Sequence, residues 1–364
     1  MSRLSKTTKT NFFTYALVVV AFVLLQSIMG LGGLSASLRG QLVPICAYVV
    51  MAISLNLTVG ILGELSLGHA GFMSVGAFSG VIACMSLSSS IPSAPLRLAI
   101  SMVVGAICAG IAGLLIGIPI LRLKGDYLAI VTLAFGEIIK NIITCLYVGV
   151  DNSGLHFGFL TTIDALHMGA GAKTIINGPM GVAGITTIST FTSGFVLILV
   201  TLFIVLNLVN SRPGRAIMAL RDNRIAAESV GIRVTKYKLM AFVMSAALAG
   251  AAGTLYAMNF PTIVATKFDF NTSILILVFV VLGGLGNMWG SIIAATVLTI
   301  LPEMLRKFSD YRMLVYAIVL ILVMLATNNS TIRGFFHRFW EKNIVEVAKR
   351  VLPNHDNLKG GAEK

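Results

Sequence analysis

Residues 41–60 read QLVPICAYVVMAISLNLTVG. No Lys, Arg, Asp or Glu interrupts the stretch, and roughly 20 apolar residues are what a helix needs to cross a bilayer. Working outward, apolar runs recur at 11–29, 71–88, 98–120, 127–148, 192–210, 239–258, 271–285, 288–303 and 311–328. The expected fold is an all-α integral membrane protein of about ten transmembrane helices with Gly-rich broken segments. Its transmembrane domain spans 11–328, between an N-terminal tail, 1–10, and a C-terminal tail, 329–364. The short runs 271–285 and 288–303 flank Gly283-Gly-Leu-Gly-Asn287. They read as two spans or as one broken helix with a re-entrant portion, and parity prefers two.

Composition excludes a soluble protein. Of 364 residues, 57% are hydrophobic and 11% charged, against about 25% charged in soluble domains. The net charge of +13 would raise nucleic acid as a partner in a soluble chain. Here the basic residues cluster between apolar runs, the positive-inside rule accounts for them, and no nucleic acid is expected. With the N-terminus inside, 19 of the 27 Lys and Arg fall on the cytoplasmic side: Arg3, Lys6 and Lys9, Arg122 and Lys124, seven from Arg212 to Lys238, and seven from Arg333 to Lys364. Four, Arg39, Arg97, Lys173 and Lys267, fall outside; Arg306, Lys307 and Arg312 run against the rule, and Lys140 lies within a span. Both termini are therefore expected in the cytoplasm. The run 11–29 has the basic flank of a signal peptide but no small-x-small cleavage site after it, so it reads as a retained first helix. The four cysteines show neither metal-ligand nor disulfide spacing.

Two connections are too long and polar for simple turns: an outside loop at 149–191 and an inside loop at 211–238. In the inside loop, Pro213 suits a helix start and Asp222 an N-cap, with a second short helix over about Asn223–Val230 and Gly231 as its C′ terminator. Ala226 and Val230 share a face at i, i+4, with Ile225 and Ala227 beside it. A thin helix flanked by basic residues fits a groove on a partner protein. The alternative is an interfacial helix on anionic lipid, for which the two alanines are small.

On these residues the chain resembles a known family. Ala226-Ala-x-x-x-Gly231 is similar to the Glu-Ala-Ala-x-x-x-Gly coupling loop of ABC importer permeases, with Ile225 where the Glu stands. The longer run Gly214–Ile232, with Tyr237–Tyr256 after it, resembles the branched-chain amino acid permeases of the LivM type, and the resemblance spans about 41–330. It implies ATPase-coupling roles for Arg221, Asp222, Arg224, Ile225, Ala226, Ala227, Glu228 and Gly231.

Other motifs agree. Gly63-Glu-Leu-Ser-Leu-Gly-His-Ala70 resembles the family's Gly-Gln-Leu-Ser-Leu-Gly-His-Ala, with Glu64 replacing Gln. Such Gly- and Ser-rich backbone belongs inside protein or along a water-filled path. Ser66 and His69 are path candidates; the other reading of His69 is a packing corner bonded to a carbonyl. In Gly125–Lys140, Asp126 suits a helix cap, and Glu137 falls mid-span with Lys140 one turn on. The two are expected to pair and face the bundle interior, as a gate on the solute path or as a structural ion pair. Asn287, in the Gly283–Gly290 break, is a further path candidate. Asn177-Gly-Pro-Met-Gly181 has Met180 where the family shows Asn; this outward loop could meet a solute-binding protein or be an ordinary turn. The pairs Gly76/Gly80, Gly113/Gly117, Ala246/Gly250 and Gly286/Gly290 read as helix-packing positions.

Gly169-Ala-Gly-Ala-Lys-Thr174 lacks the Gly-Lys-Ser/Thr ending of a phosphate loop. No metal cluster or nucleophile triad is visible, so no enzymatic activity and no cofactor on this chain are expected; ATP would be used by partners. The resemblance implies a permease subunit of a bacterial inner-membrane importer for leucine, isoleucine or valine. It also implies two cytoplasmic ATPase subunits, a second related permease and an extracellular solute-binding protein. Related permeases carry urea or short amides. From outside the family, an ion-coupled secondary transporter predicts several unpaired mid-span acids, and Glu137 is the one clearly there.

Overall fold

The computed structural model describes residues 6–30, 35–88, 90–121, 123, 125–151, 154–159 and 173–305, with scattered positions between 311 and 321. The chain divides into two compact units, Met1–Glu303 and Met304–Lys364. The expected tenth span, 311–328, lies largely outside the described residues, and the C-terminal tail, 329–364, wholly so.

The described helices run in chain order: α1 Lys6–Gly30, α2 Ala36–Asn56, α3 His69–Ser86, α4 Ala94–Ile120, α5 Asp126–Thr144, α6 Phe191–Asn210, α7 Arg212–Asp222, α8 Arg224–Ser229, α9 Val234–Ala257, α10 Phe270–Gly283 and α11 Met288–Met304. A π-helical turn, Leu57–Leu62, continues α2. Among the described residues six helices are long and apolar enough to cross a membrane: α2 with its π turn, then α3, α4, α5, α6 and α9. Thr14–Gly30, α10 and α11 are apolar but shorter. A multi-pass helical membrane protein is what the helices support, and six spans rather than about ten meet the length criterion. At about 1.5 Å per residue, the 14 residues of α10 reach only part-way across the ~30 Å hydrocarbon layer.

Helix α2 is central. From Leu42 to Leu57 its side chains are buried almost without a break. A helix apolar on every side has no other stable environment. Helix α9 packs beside it, and α3 and α4 pack on α9 and on each other through small residues. A Cβ on Gly76 would lie 2.1–2.4 Å from the Gly250 backbone, and one on Gly250 would lie 2.4 Å from the Ala109 Cβ. The Thr254 hydroxyl donates to the Gly76 carbonyl at 2.8 Å across this seam. Three of the four expected small-residue pairs thus lie in helix contacts. Gly286/Gly290 differs, because Gly286 lies in the connection between α10 and α11 with φ 80°. The far side of α4 exposes Val103, Ile107, Ile111 and Leu115. That i, i+4 apolar stripe suits lipid and not water.

The outside loop contains structure that the sequence reading missed. Helix α5 ends at Thr144, short of the expected 148, and β1 Leu146–Asp151 follows it. It joins an antiparallel sheet in the order β2 (Gly154–Phe159), β1, β3 (Lys173–Asn177), β4 (Val182–Ala183), β5 (Thr262–Ile263). Val148, Ile176, Val182 and Ile263 form its buried row. β1 and β2 alternate β-branched or aromatic residues with small or polar ones and are separated by Asn152-Ser153, a hairpin pattern lost beneath a generally apolar window. Gly178–Met180 is one 3₁₀ turn between β3 and β4, closed by an Asn177 N–H to Gly181 carbonyl bond of 2.8 Å.

Candidate functional site

The break after α2 organises the site. Asn56, wholly buried, closes α2. Its amide nitrogen donates to the Asn287 carbonyl at 3.1 Å and to the Ser291 hydroxyl at 2.9 Å, and its oxygen accepts from the Gly286 N–H at 2.8 Å. A Cβ on Gly60 would lie 1.9 Å from that oxygen and 2.3 Å from the Gly286 nitrogen. Bare backbone at Gly60 is therefore what lets the π turn meet the α10–α11 connection. Asn287 enters this network through its carbonyl, and its side-chain oxygen accepts weakly from the Gly290 N–H at 3.5 Å. Its side chain tightens the turn into α11.

From Gly63 the chain is unwound until α3 begins at His69. Hydroxyls from two other helices satisfy its backbone. Thr132 of α5 accepts from the Leu67 N–H at 3.1 Å, and Ser273 of α10 accepts from the Ala70 N–H at 3.1 Å. Gly68 lies so close to α5 that a Cβ would fall 1.9 Å from the Thr132 carbonyl oxygen. Gly63 and Leu65 are exposed, whereas Ser66, Gly68 and His69 are enclosed in protein, where a membrane interior tolerates irregular backbone. Within it the Ser66 hydroxyl is buried and has no hydrogen-bond partner. His69 is buried, with Nε2 2.8 Å from the Ser54 hydroxyl, and Ser54 also donates to the Met51 carbonyl. Its partner is thus a hydroxyl and not the expected carbonyl. Ser245 of α9 donates to the Ser54 carbonyl, so α2, α3 and α9 meet at this point.

Glu64 pairs with Lys238, whose side chain is almost wholly buried. The departure from the family's Gln thus supplies a countercharge for a lysine at the start of α9. Glu137 and Lys140 pair on α5 as expected. Neither is enclosed: the side chains keep 33% and 19% of their surface. The reason lies in α5, which turns Thr132 and Gly136 toward Gly68 while Tyr127, Ile130, Ile138 and Ile142 stay exposed. Glu137, Asp269 and Ser273 line a narrow crevice between α3, α5 and the start of α10, too tight to admit a water molecule.

The loop 211–238 folds into α7 and α8. Ser211 caps α7, accepting from the Gly214 N–H at 3.3 Å. Asp222 ends α7, and the N-cap of α8 is Asn223, whose side chain accepts from the Ala226 N–H at 3.0 Å. The helix is Arg224–Ser229, shorter at both ends than expected. Gly231, at φ 85°, follows it as the left-handed C′ residue, with its N–H on the Glu228 carbonyl. Ala227 is buried against Leu220 and Val234, whereas Ile225 and Val230 are 80% and 75% exposed and Ala226 is exposed too. The expected face therefore splits, with Ala227 as its anchor and Ile225, Ala226 and Val230 presented outward. Arg224 and Glu228 pair along α8 at 3.1 Å. Arg221 turns the other way and donates to the Gly60 carbonyl at 2.5 Å. The structure thus brings Arg221, Asn287 and the Ser66–His69 segment to one end-to-end run of contacts around Gly60–His69, with Glu137 and Lys140 apart on α5.

Sequence reasoning missed Asn56, Ser54, Lys238 and Thr132. Asn56 carried a usable signal, a lone amide in an otherwise apolar span, which must find partners inside the bundle. Thr132 carried none.

Comparison with known proteins agrees with the motifs. A family model described as branched-chain amino acid transport system / permease component matches residues 37–324. The high-affinity branched-chain amino acid transport system permease protein LivM of Salmonella typhimurium is 32% identical over 341 residues, covering 88% of this chain and 74% of the relative. The protein of the same name from Escherichia coli K12 is 33% identical over 290 residues, covering 76% of this chain and 66% of the relative. The ribose import permease protein RbsC of Haemophilus influenzae is 25% identical over 288 residues, covering 77% and 81%. No solved structure matches the chain. With the model spanning most of its length, this multi-pass membrane chain belongs to the family of branched-chain amino acid transport system permease components.

Proposed function

We propose that this chain is the membrane-spanning permease subunit of an ATP-driven importer whose solute is leucine, isoleucine or valine. The observation that carries the reading is the shape of the loop 211–238. Helix α8 has six residues, too few to persist alone, yet it is anchored by Ala227 and turns Ile225, Ala226 and Val230 outward. A short, fixed, apolar peg suits a groove on a partner that moves it. Two ATPase subunits supply that partner. The names of the relatives support the solute class. A second permease subunit lies against α5, since Glu137 and Lys140, partly exposed, would otherwise present an ion pair to lipid. An extracellular binding protein delivers solute. The loop and both termini face the cytoplasm of a bacterial inner membrane, a reading supported by the 19 of 27 basic residues counted on that side.

The test is reconstitution in liposomes with two ATPase subunits, a second permease and a solute-binding protein. Labelled leucine should accumulate only with ATP and binding protein, and isoleucine and valine should compete. Urea and ribose are the informative controls, because a ribose permease is among the relatives. Uptake by the lone chain without nucleotide would overturn the importer reading, and preferential uptake of urea or ribose would overturn the solute.

A further inference from the structure

We propose that Arg221 and Lys238 are positioning residues that clamp the stretch Gly60–Glu64, and that through this clamp a movement of α8 shifts the unwound segment Gly63–Gly68. The inference rests on the importer reading and adds the route by which the loop acts on the membrane interior.

The geometry is specific. Arg221 lies in the last turn of α7 and Lys238 in the second turn of α9, so they flank α8 on either side. Arg221 donates to the Gly60 carbonyl, and Lys238 pairs with Glu64. The π turn stops at Leu62, which leaves Gly60 among its terminal carbonyls, and a guanidinium is the natural partner for such an end. Arg221 Nη1 also lies 3.6 Å from where a Cβ on Gly286 would stand. One side chain thus bonds to the end of α2 and lies beside the α10–α11 connection. Two contacts on one short stretch fix its direction as well as its place, which a single contact would leave free to swivel.

The peg and the clamp are mechanically joined. Leu220, next to Arg221, and Tyr237, next to Lys238, both pack in the cluster that holds Ala227. A displacement of α8 is therefore shared by both clamp residues. Downstream of Glu64 come Ser66, with its unpartnered buried hydroxyl, and then the His69–Ser54 contact. An unsatisfied hydroxyl costs about 1–3 kcal/mol, so this segment has a ready alternative wherever a shift gives Ser66 a partner.

The experiment uses the assembled complex in lipid nanodiscs, with Cys46, Cys84, Cys108 and Cys145 replaced by Ala and Ser66→Cys as reporter. Maleimide labelling is timed without nucleotide and after trapping with ATP and vanadate. In the parent the two rates should differ by at least about fivefold. In Arg221→Met they should agree within about twofold, and solute transported per ATP should fall at least about tenfold. Arg221→Lys, which keeps a donor, should restore part of both. Equal rates in the parent, or wild-type labelling and transport in Arg221→Met, would overturn the clamp. If Arg221→Met fails to assemble, the paired variant Glu64→Leu/Lys238→Met is read by the same criteria. Failure of both to assemble would assign these residues to folding and also overturn it. A parent that moves no solute and hydrolyses no ATP with its partners would instead sink the importer reading.

Discussion

Asn56 on α2 and Ser291 on α11 are joined by a 2.9 Å hydrogen bond between two wholly buried side chains. The same amide holds Asn287 and Gly286, so one side chain staples the central helix to the break between two short helices. Inside a membrane no water replaces a lost partner. Asn56→Leu strands the Gly286 N–H, while the Asn287 carbonyl keeps the Ser291 N–H and hydroxyl as donors. We expect a loss of about 1–3 kcal/mol, read as a lower Tm of the detergent-solubilised chain; an unchanged Tm would contradict the stapling role.

The seam of α3, α4 and α9 leaves no room at Gly76 or Gly250. A Cβ on Gly76 meets backbone, which cannot rotate aside as a side chain can. Gly76→Val should cost about 3 kcal/mol and sharply reduce the folded yield in membranes. Gly30, where an added Cβ meets nothing within 4 Å, is the control: Gly30→Ala should leave the yield unchanged.

These sites show what the sequence made legible. Apolar runs and Lys/Arg spacing revealed a multi-pass helical protein, because lipid imposes one uniform requirement on every span. The Gly- and Ser-rich stretch 63–70 announced an interruption, because such residues are poor helix interior. The partners that satisfy it were hidden, since Thr132 and Ser273 look like any hydroxyl on an apolar helix. The split face of α8 was hidden too. Two adjacent alanines are equivalent in sequence, and packing against Leu220 and Val234 makes Ala227 the anchor and leaves Ala226 exposed. The outer sheet escaped notice because Leu146–Val150 is apolar enough to extend the neighbouring span.

That split yields a paired prediction. Ala227→Arg forces a charged side chain into the cluster beneath α8 and should disorder the loop, lowering Tm as well as ATPase association. Ile225→Arg changes an 80% exposed position and should reduce ATPase co-purification at least about tenfold with Tm unchanged. Co-purification of Ile225→Arg at wild-type levels would remove α8 from the interface.

Glu137 and Lys140 distinguish a structural ion pair from a group on the solute path. Each single neutralisation, Glu137→Gln or Lys140→Met, leaves its partner charged and unpaired within a span, at a cost of about 3 kcal/mol. Both singles should therefore insert poorly, as read by membrane yield. The double variant removes both charges and should recover the yield, since replacing an ion pair by neutral groups is often free of penalty. Transport then decides the role. A double variant that inserts fully and moves leucine at the wild-type rate makes the pair a lock between helices. One that inserts fully but transports at about a tenth of that rate or less puts the charges on the route.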